Sequence, residues 1–204
     1  MRLITLMSLI CIIIVLVGCH ANELSEPELR EYLANPDNGL IKECQIEDLT
    51  ISVCYQPAAL LGISLPEHAR EQPIDQNVSC SQYFLVTLSR NTQEVLDPAQ
   101  GFSAFSSLLQ TLAFRPQEYL KLTTSKGDTL MPSNSELERT FGMSTSTQLL
   151  VAFPAGDMNQ DITVHLGEFG LRTGTLRFDF NRQDLLALPQ LKYSGIKEEI
   201  TTIH

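Results

Sequence analysis

QLLVAF (148–153), DITVHL (161–166) and GTLRFDF (174–180) are the three runs on which the fold class turns. They are separated by loops rich in Pro, Gly and Asp, the punctuation of short strands joined closely in sequence. Strand, turn and strand at this spacing predicts antiparallel pairing within a sandwich.

The same pattern extends upstream. Leu40–Ile46 and Thr50–Tyr55 flank Glu47-Asp48 as a hairpin, and Ile51, Val53 and Tyr55 alternate onto one face, the period of a half-buried strand. Tyr83–Leu88 is a buried-strand run, and Tyr119–Thr124 with Thr129–Met131 surround the turn Ser125-Lys126-Gly127-Asp128. A helix is expected from Asn22 through Glu31, with Ser25 as cap, Glu28 completing a capping box, Pro27 in the first turn and Leu24 and Leu29 as a staple. It ends near Asn35-Pro36, because a residue before proline avoids the helical region, and Pro36–Gly39 makes a turn. A second helix begins at Asp97-Pro98 and runs to Arg115, with Phe102, Phe105, Leu108, Leu109 and Leu112 forming a core-facing stripe. Gly62–Gln76 reads as a surface connection with a helical piece at Pro66–Glu71, Asn134–Thr140 as a short helix or turn, and Arg182–Leu188 as one helical turn. The expected fold is therefore mainly β (α+β): an antiparallel β-sandwich-like domain over 24–193, with an N-terminal helix, one inserted amphipathic helix and a loose polar tail from 194 to 204.

The start of the chain follows a different grammar. Met1-Arg2 is a short positive region, and Leu3–Val17 is almost wholly apolar, too short to span a bilayer comfortably but suited to an export signal. Leu16-Val17-Gly18-Cys19 resembles the lipobox of bacterial lipoproteins. That resemblance implies a signal peptide over 1–18, cleavage before Cys19, a diacylglycerol thioether on its sulfur, acylation of the new amine, and a lipidated tether over 19–23. Two or more acyl chains hold a protein stably to a membrane. His20 stands where an Asp would retain an enteric lipoprotein in the inner membrane, so an outer-membrane destination in the cell envelope is expected.

Removing 18 residues from 204 leaves 186, suited to one domain. The full chain carries 14 basic against 24 acidic residues, and only Arg2 leaves with the signal. An acidic chain without a Lys/Arg cluster has no electrostatic reason to bind nucleic acid or anionic headgroups.

Three cysteines remain beyond Cys11 and Cys19. Cys44 and Cys54 flank one turn and could face each other as a disulfide across the hairpin, leaving Cys80 over; free buried thiols are the rival reading. A zinc set of Cys44, Cys54, His68 and Cys80 lacks the short paired spacing of structural zinc sites. Asp157-Met158-Asn159-Gln160-Asp161 with Glu168 mimics a calcium loop, but Ile162 replaces the required Gly and opens a strand that would carry Glu168 away. His68 and His165 are the interior candidates for a general base. The sequence has no G-x-S-x-G elbow, P-loop or dinucleotide fingerprint. No metal or cofactor is expected.

Three groups of segments are similar to a family of uncharacterised bacterial lipoproteins. They are EYLANPDNGL (31–40) with Tyr55-Gln56-Pro57 and Leu60-Leu61; LERTFGM (137–143) running into LLVAF (149–153); and Phe169-Gly170-Leu171 with TGTLRFDF (173–180). The resemblance implies lipid anchoring and a mainly β domain, and brings no activity or catalytic residue.

The expected function is accordingly that of a non-catalytic, membrane-anchored envelope lipoprotein contacting other envelope proteins. Capture of a small molecule or glycan is the alternative, and envelope hydrolysis by His68 or His165 a third reading. With no Trp and five Tyr, the chain is poor in the aromatic platforms of sugar sites. Substituting Cys19→Ser should abolish acylation and lipoprotein-specific processing, read as loss of the acyl mass and retention of the longer precursor.

Overall fold

A computed structural model describes residues 23–63, 81–138, 140, 143–156 and 159–192. The expected export signal, Cys19, His68, Cys80, the expected helical piece at Pro66–Glu71, Asp157 and Met158 of the calcium-like loop, and the tail from Ser194 lie outside the described residues.

The chain begins with β1 (Glu23–Leu24) and α1 (Glu26–Ala34). The Glu28 carboxylate accepts hydrogen bonds from the Ser25 amide at 2.9 Å and the Ser25 hydroxyl at 2.6 Å, the reciprocal entry expected of the capping box. The exit is equally local. Asn35 Oδ1 accepts the Asp37 amide at 3.0 Å, and Asn38 Nδ2 donates to the Tyr32 carbonyl at 2.9 Å, one of the acceptors a helix end leaves unpaired. Gly39 closes the turn at φ 72°, and a Cβ there would fall 2.1 Å from a carboxylate oxygen of Asp184. The left-handed backbone favours glycine here, and a side chain would also have to displace the Asp184 carboxylate.

Next come β2 (Ile41–Ile46), β3 (Leu49–Gln56), α2 (Ala58–Ile63), β4 (Ser81–Arg90) and β5 (Gln93–Glu94). They are followed by α3 (Phe102–Phe114), α4 (Pro116–Tyr119), β6 (Leu120–Thr124), β7 (Thr129–Leu130) and β8 (Asn134–Leu137). The final elements are β9 (Thr147–Pro154), β10 (Ile162–Leu166), β11 (Leu176–Phe180), α5 (Arg182–Leu186) and β12 (Gln190–Leu191). One antiparallel sheet has the order β2-β3-β4-β9-β8, with β5 pairing β4; the other has the order β11-β10-β6-β7. β1 and β12 form a separate parallel pair.

Alternation explains the layering. Leu49, Ile51, Val53, Phe84, Val86, Leu88, Leu149, Val151 and Phe153 are buried on the first sheet, and Leu120, Leu122, Ile162, Val164, Leu166, Phe178 and Phe180 on the second. These residues belong to a single apolar cluster. Phe84 is its centre: its ring meets Tyr55 and Phe153 edge-on at 5.6 and 5.9 Å within the first sheet, and Phe180 of the second sheet at 5.4 Å. The fold class is thus the expected mainly β, α+β, sandwich-like one.

Several details depart from the sequence reading. The stretch expected as one helix from Asp97 is a 3-10 turn, Pro98–Gln100, capped by Asp97 Oδ1 on the Ala99 amide, then a break at Gly101 and α3. Within α3, Leu112 is buried and Phe105, Leu108 and Leu109 pack partly against the core, but Phe102 is 84 % exposed, so the apolar stripe starts one turn later than expected. Asn134–Leu137 is a strand because β9 offers a free edge, and pairing with it outweighs weak local preference. The runs at 148–153 and 161–166 do not pair with each other: β9 belongs to the first sheet and β10 to the second.

The 44–54 bridge is not formed. Cys44 lies opposite Ile51 and Cys54 opposite Ile41, so the sulfurs project to opposite faces, and both thiols are free. Cys54 is sealed beneath α1, where its Sγ lies 3.7 Å from the Leu33 carbonyl, and burial pushes its thiol up to about 11.

Phe84→Ala should destabilise the domain by ~3–5 kcal/mol, the usual cost of removing a buried aromatic ring. Against a typical total of ~5–15 kcal/mol, that loss should move the urea midpoint sharply. An unmoved midpoint would show that this ring does not join the layers.

Candidate functional site

A cleft of about 800 Å³ lies at one end of the sandwich. Its walls are the β2–β3 turn (Ile46–Leu49), Arg90 at the end of β4, one side of α3 (Ala104, Ser107, Leu108 and Thr111), Glu118, and the loop Glu168–Arg172.

Tyr119 positions two of these walls. Its hydroxyl donates to the Leu112 carbonyl at 3.2 Å, tying down the last turn of α3. Its ring stacks on Phe169 with centroids 5.2 Å apart, and its carbonyl accepts the Gly167 amide at 2.6 Å. Burial pushes the Tyr119 phenol well above its ordinary value, so it acts as a neutral donor.

Glu168 organises the loop itself. Its Oε1 accepts the amides of Gly170 at 2.7 Å and Arg172 at 2.9 Å, and its Oε2 accepts that of Gly174 at 3.0 Å. Partial burial works to raise its pKa, but backbone bonds from Arg172, Gly174, Gly170 and Thr173 together outweigh it and hold the carboxyl below its ordinary value. Those bonds keep Arg172 at φ 61°. Glu47, also in the wall, has φ 53°, and Asn91 and Thr92, directly after Arg90, have φ 51° and 60°. Left-handed conformations cost non-glycine residues ~1–2 kcal/mol, and such strain gathers at functional sites.

The charge lining is mixed and acidic on balance: Glu47, Asp48, Glu118 and Glu168 against Arg90 and Arg172. Arg90 Nε lies 3.5 Å from Asp48 Oδ2 as an ion pair, yet this buried nitrogen makes no hydrogen bond. The cleft therefore sets the Arg90 and Arg172 side chains inside an acidic rim, a setting for polar ligand recognition. No histidine is among the residues lining the cleft.

The sequence candidates fall elsewhere. His165 stands on the outer face of the second sheet, its Nε2 2.8 Å from Thr123 Oγ1, away from the cleft. Asp161 Oδ1 accepts the Arg182 amide at 2.7 Å at the start of β10, while Glu168 is committed to its loop beyond the end of that strand. The strand separates the two carboxylates, as Ile162 predicts. Among the described residues no group of three or more His, Cys, Asp or Glu is placed to hold a metal ion. Within 137–143, Thr140 donates its hydroxyl to the buried Glu94 carboxylate, which also accepts the Ser144 amide just beyond.

Comparison with family models, curated proteins and solved structures finds no match to this chain.

Sequence reasoning missed Arg90, Tyr119 and Arg172, which come from three distant segments. The one available signal was the glycine-punctuated run Gly167–Gly174 around Glu168.

A carboxylate with a lowered folded pKa contributes order that is complete above its unfolded value and is lost as the pH falls through the folded one. The protection factors of the Gly170, Arg172 and Gly174 amides, taken against the intrinsic exchange rate at each pH, should therefore hold down to the ordinary 4.5 and fall below it, while Glu168→Gln lowers them throughout. Protection that survives full protonation would contradict this role for Glu168.

Proposed function

We propose that this chain is a non-catalytic lipoprotein of the bacterial cell envelope. It is held by acyl chains on Cys19, in the outer membrane, and works by contacting another envelope protein. The observation that carries this reading is α3. None of its thirteen residues is charged, and Phe102 and Phe114 are 84 % and 69 % exposed at its two ends. A solvated surface helix normally turns charged residues outward. An uncharged outward face is cheap to desolvate, and exposed aromatics are the residues that anchor protein interfaces. Met143, 86 % exposed, lies beside Ser144 at the same end of the molecule.

Placement supports the reading. β1 lies near Pro57, just beyond the end of β3, whereas α3 and the cleft lie at its beginning, by Leu49. The eight residues of β3 separate the two ends by about 25 Å. Cys19 is four positions before Glu23, a reach of at most ~14 Å. An acyl-anchored chain would thus hold α3 on the side away from its own bilayer, toward a partner. Among the described residues no helix is long and apolar enough to cross a membrane.

Ligand capture is the second reading, favoured by the cleft, whose volume lies in the usual range for small-molecule sites. Its acidic, polar rim suits a hydrophilic ligand better than an apolar one.

A photo-crosslinking residue at 102 or 114, introduced into the full chain in native cells, should give one discrete protein adduct that depends on Cys19. Absence of any adduct at both positions would overturn the reading. A ligand that raises the melting temperature of the wild type but not of Arg90→Gln would favour capture instead.

A further inference from the structure

The outer face of the second sheet carries a feature unrelated to the cleft. Register places His165 of β10 directly opposite Lys121 of β6 on one side and Arg177 of β11 on the other. The next row is Thr123, Thr163 and Asp179. Their inward neighbours, Leu122, Val164 and Phe178, are buried, so the two rows face outward. Three nitrogen-bearing side chains thus stand abreast across about 10 Å, two interstrand spacings, in a chain of net charge −10. Like charges directly opposite each other oppose sheet pairing. Sequence distance hides the cluster, since positions 121, 165 and 177 belong to separate strands.

The row is held in place. Asp179 accepts the Thr163 hydroxyl at 2.6 Å and lies 3.5 Å from the Arg177 guanidinium, which remains 64 % exposed. Thr123 fixes the His165 ring through Nε2, leaving Nδ1 as its other hydrogen-bonding atom. Lys121 is exposed.

We propose that Lys121, His165 and Arg177 form a binding site for a compact phosphoryl anion, a phosphate monoester or diphosphate, seated across the outer face of β6, β10 and β11. Charge complementarity carries the choice. Guanidinium and ammonium donors flank an imidazole, and a multiply charged phosphoryl group can accept from all three while relieving their mutual opposition. The two outward rows of β6, β10 and β11 carry no large apolar side chain to insert into a bilayer, and three donors in a single row suit one small group better than a headgroup array.

Burial first, then the charges of Lys121 and Arg177, hold the His165 imidazole below its ordinary value, with Asp179 pulling the other way. A bound anion offsets the two cations, so binding and His165 protonation favour each other. The group is then protonated over a wider pH range in the complex, and for a ligand of constant charge binding tightens as the pH falls from the complex's value to that of the free site.

The test uses the full-length protein in detergent and follows the His165 ring proton, assigned with His165→Gln, during titration with inorganic diphosphate. A saturable shift is expected, with the His165 midpoint rising by about one unit, a roughly tenfold tighter hold on the protonated form. Lys121→Gln with Arg177→Gln should abolish it. Arg30→Gln with Arg115→Gln, which removes the same charge elsewhere, should not. No saturable shift, or equal loss in both double variants, would overturn the proposal. So would binding confined to phosphatidylglycerol vesicles over phosphatidylcholine ones, which would assign the row to a lipid surface.

Discussion

The contact between Phe84 and Phe180 is the constraint from which the rest of the architecture follows. It is the aromatic bridge between the two sheets, with ring centroids 5.4 Å apart, and the partners of Phe84 within its own sheet, Tyr55 and Phe153, lock it from either side. Neither sheet can bury its apolar face alone, so each is stable only against the other. The inward rows of β3, β4, β9, β6, β10 and β11 close around this cluster, and every outward row is thereby turned away from it.

With the layers set, a second and smaller device shapes the surface. Tyr119 ties the end of α3 and the start of β6 to Phe169, and the loop after Phe169 wraps the Glu168 carboxylate. The buried phenol would be stranded without its acceptor, and the exposed carboxylate is held by several amides at once. The cleft wall is therefore part of the fold, and the left-handed Arg172 is held there by bonds that its own side chain does not make.

The molecule is consequently asymmetric in chemistry. β1 lies at one end of β3, the uncharged helix and the acidic cleft lie at the other, and the outer face of the second sheet carries a cationic row.

What the amino-acid order determined by itself was whatever depends on neighbours a few residues apart. The Ser25–Glu28 entry, the Asn35–Gly39 turn, the hairpin about Glu47-Asp48, the alternation of β3 and the strand that parts Asp161 from Glu168 all follow from local backbone chemistry. Tertiary structure alone decided how the strands divide between sheets, because β9 and β10 present similar patterns and only packing chooses their partners. It also made a strand of Asn134–Leu137, left Phe102 in solvent, put Cys44 and Cys54 on opposite faces, and set Lys121, His165 and Arg177 abreast. Register and burial are relations between distant segments, and a single strand's periodicity names its two faces without saying what either one meets.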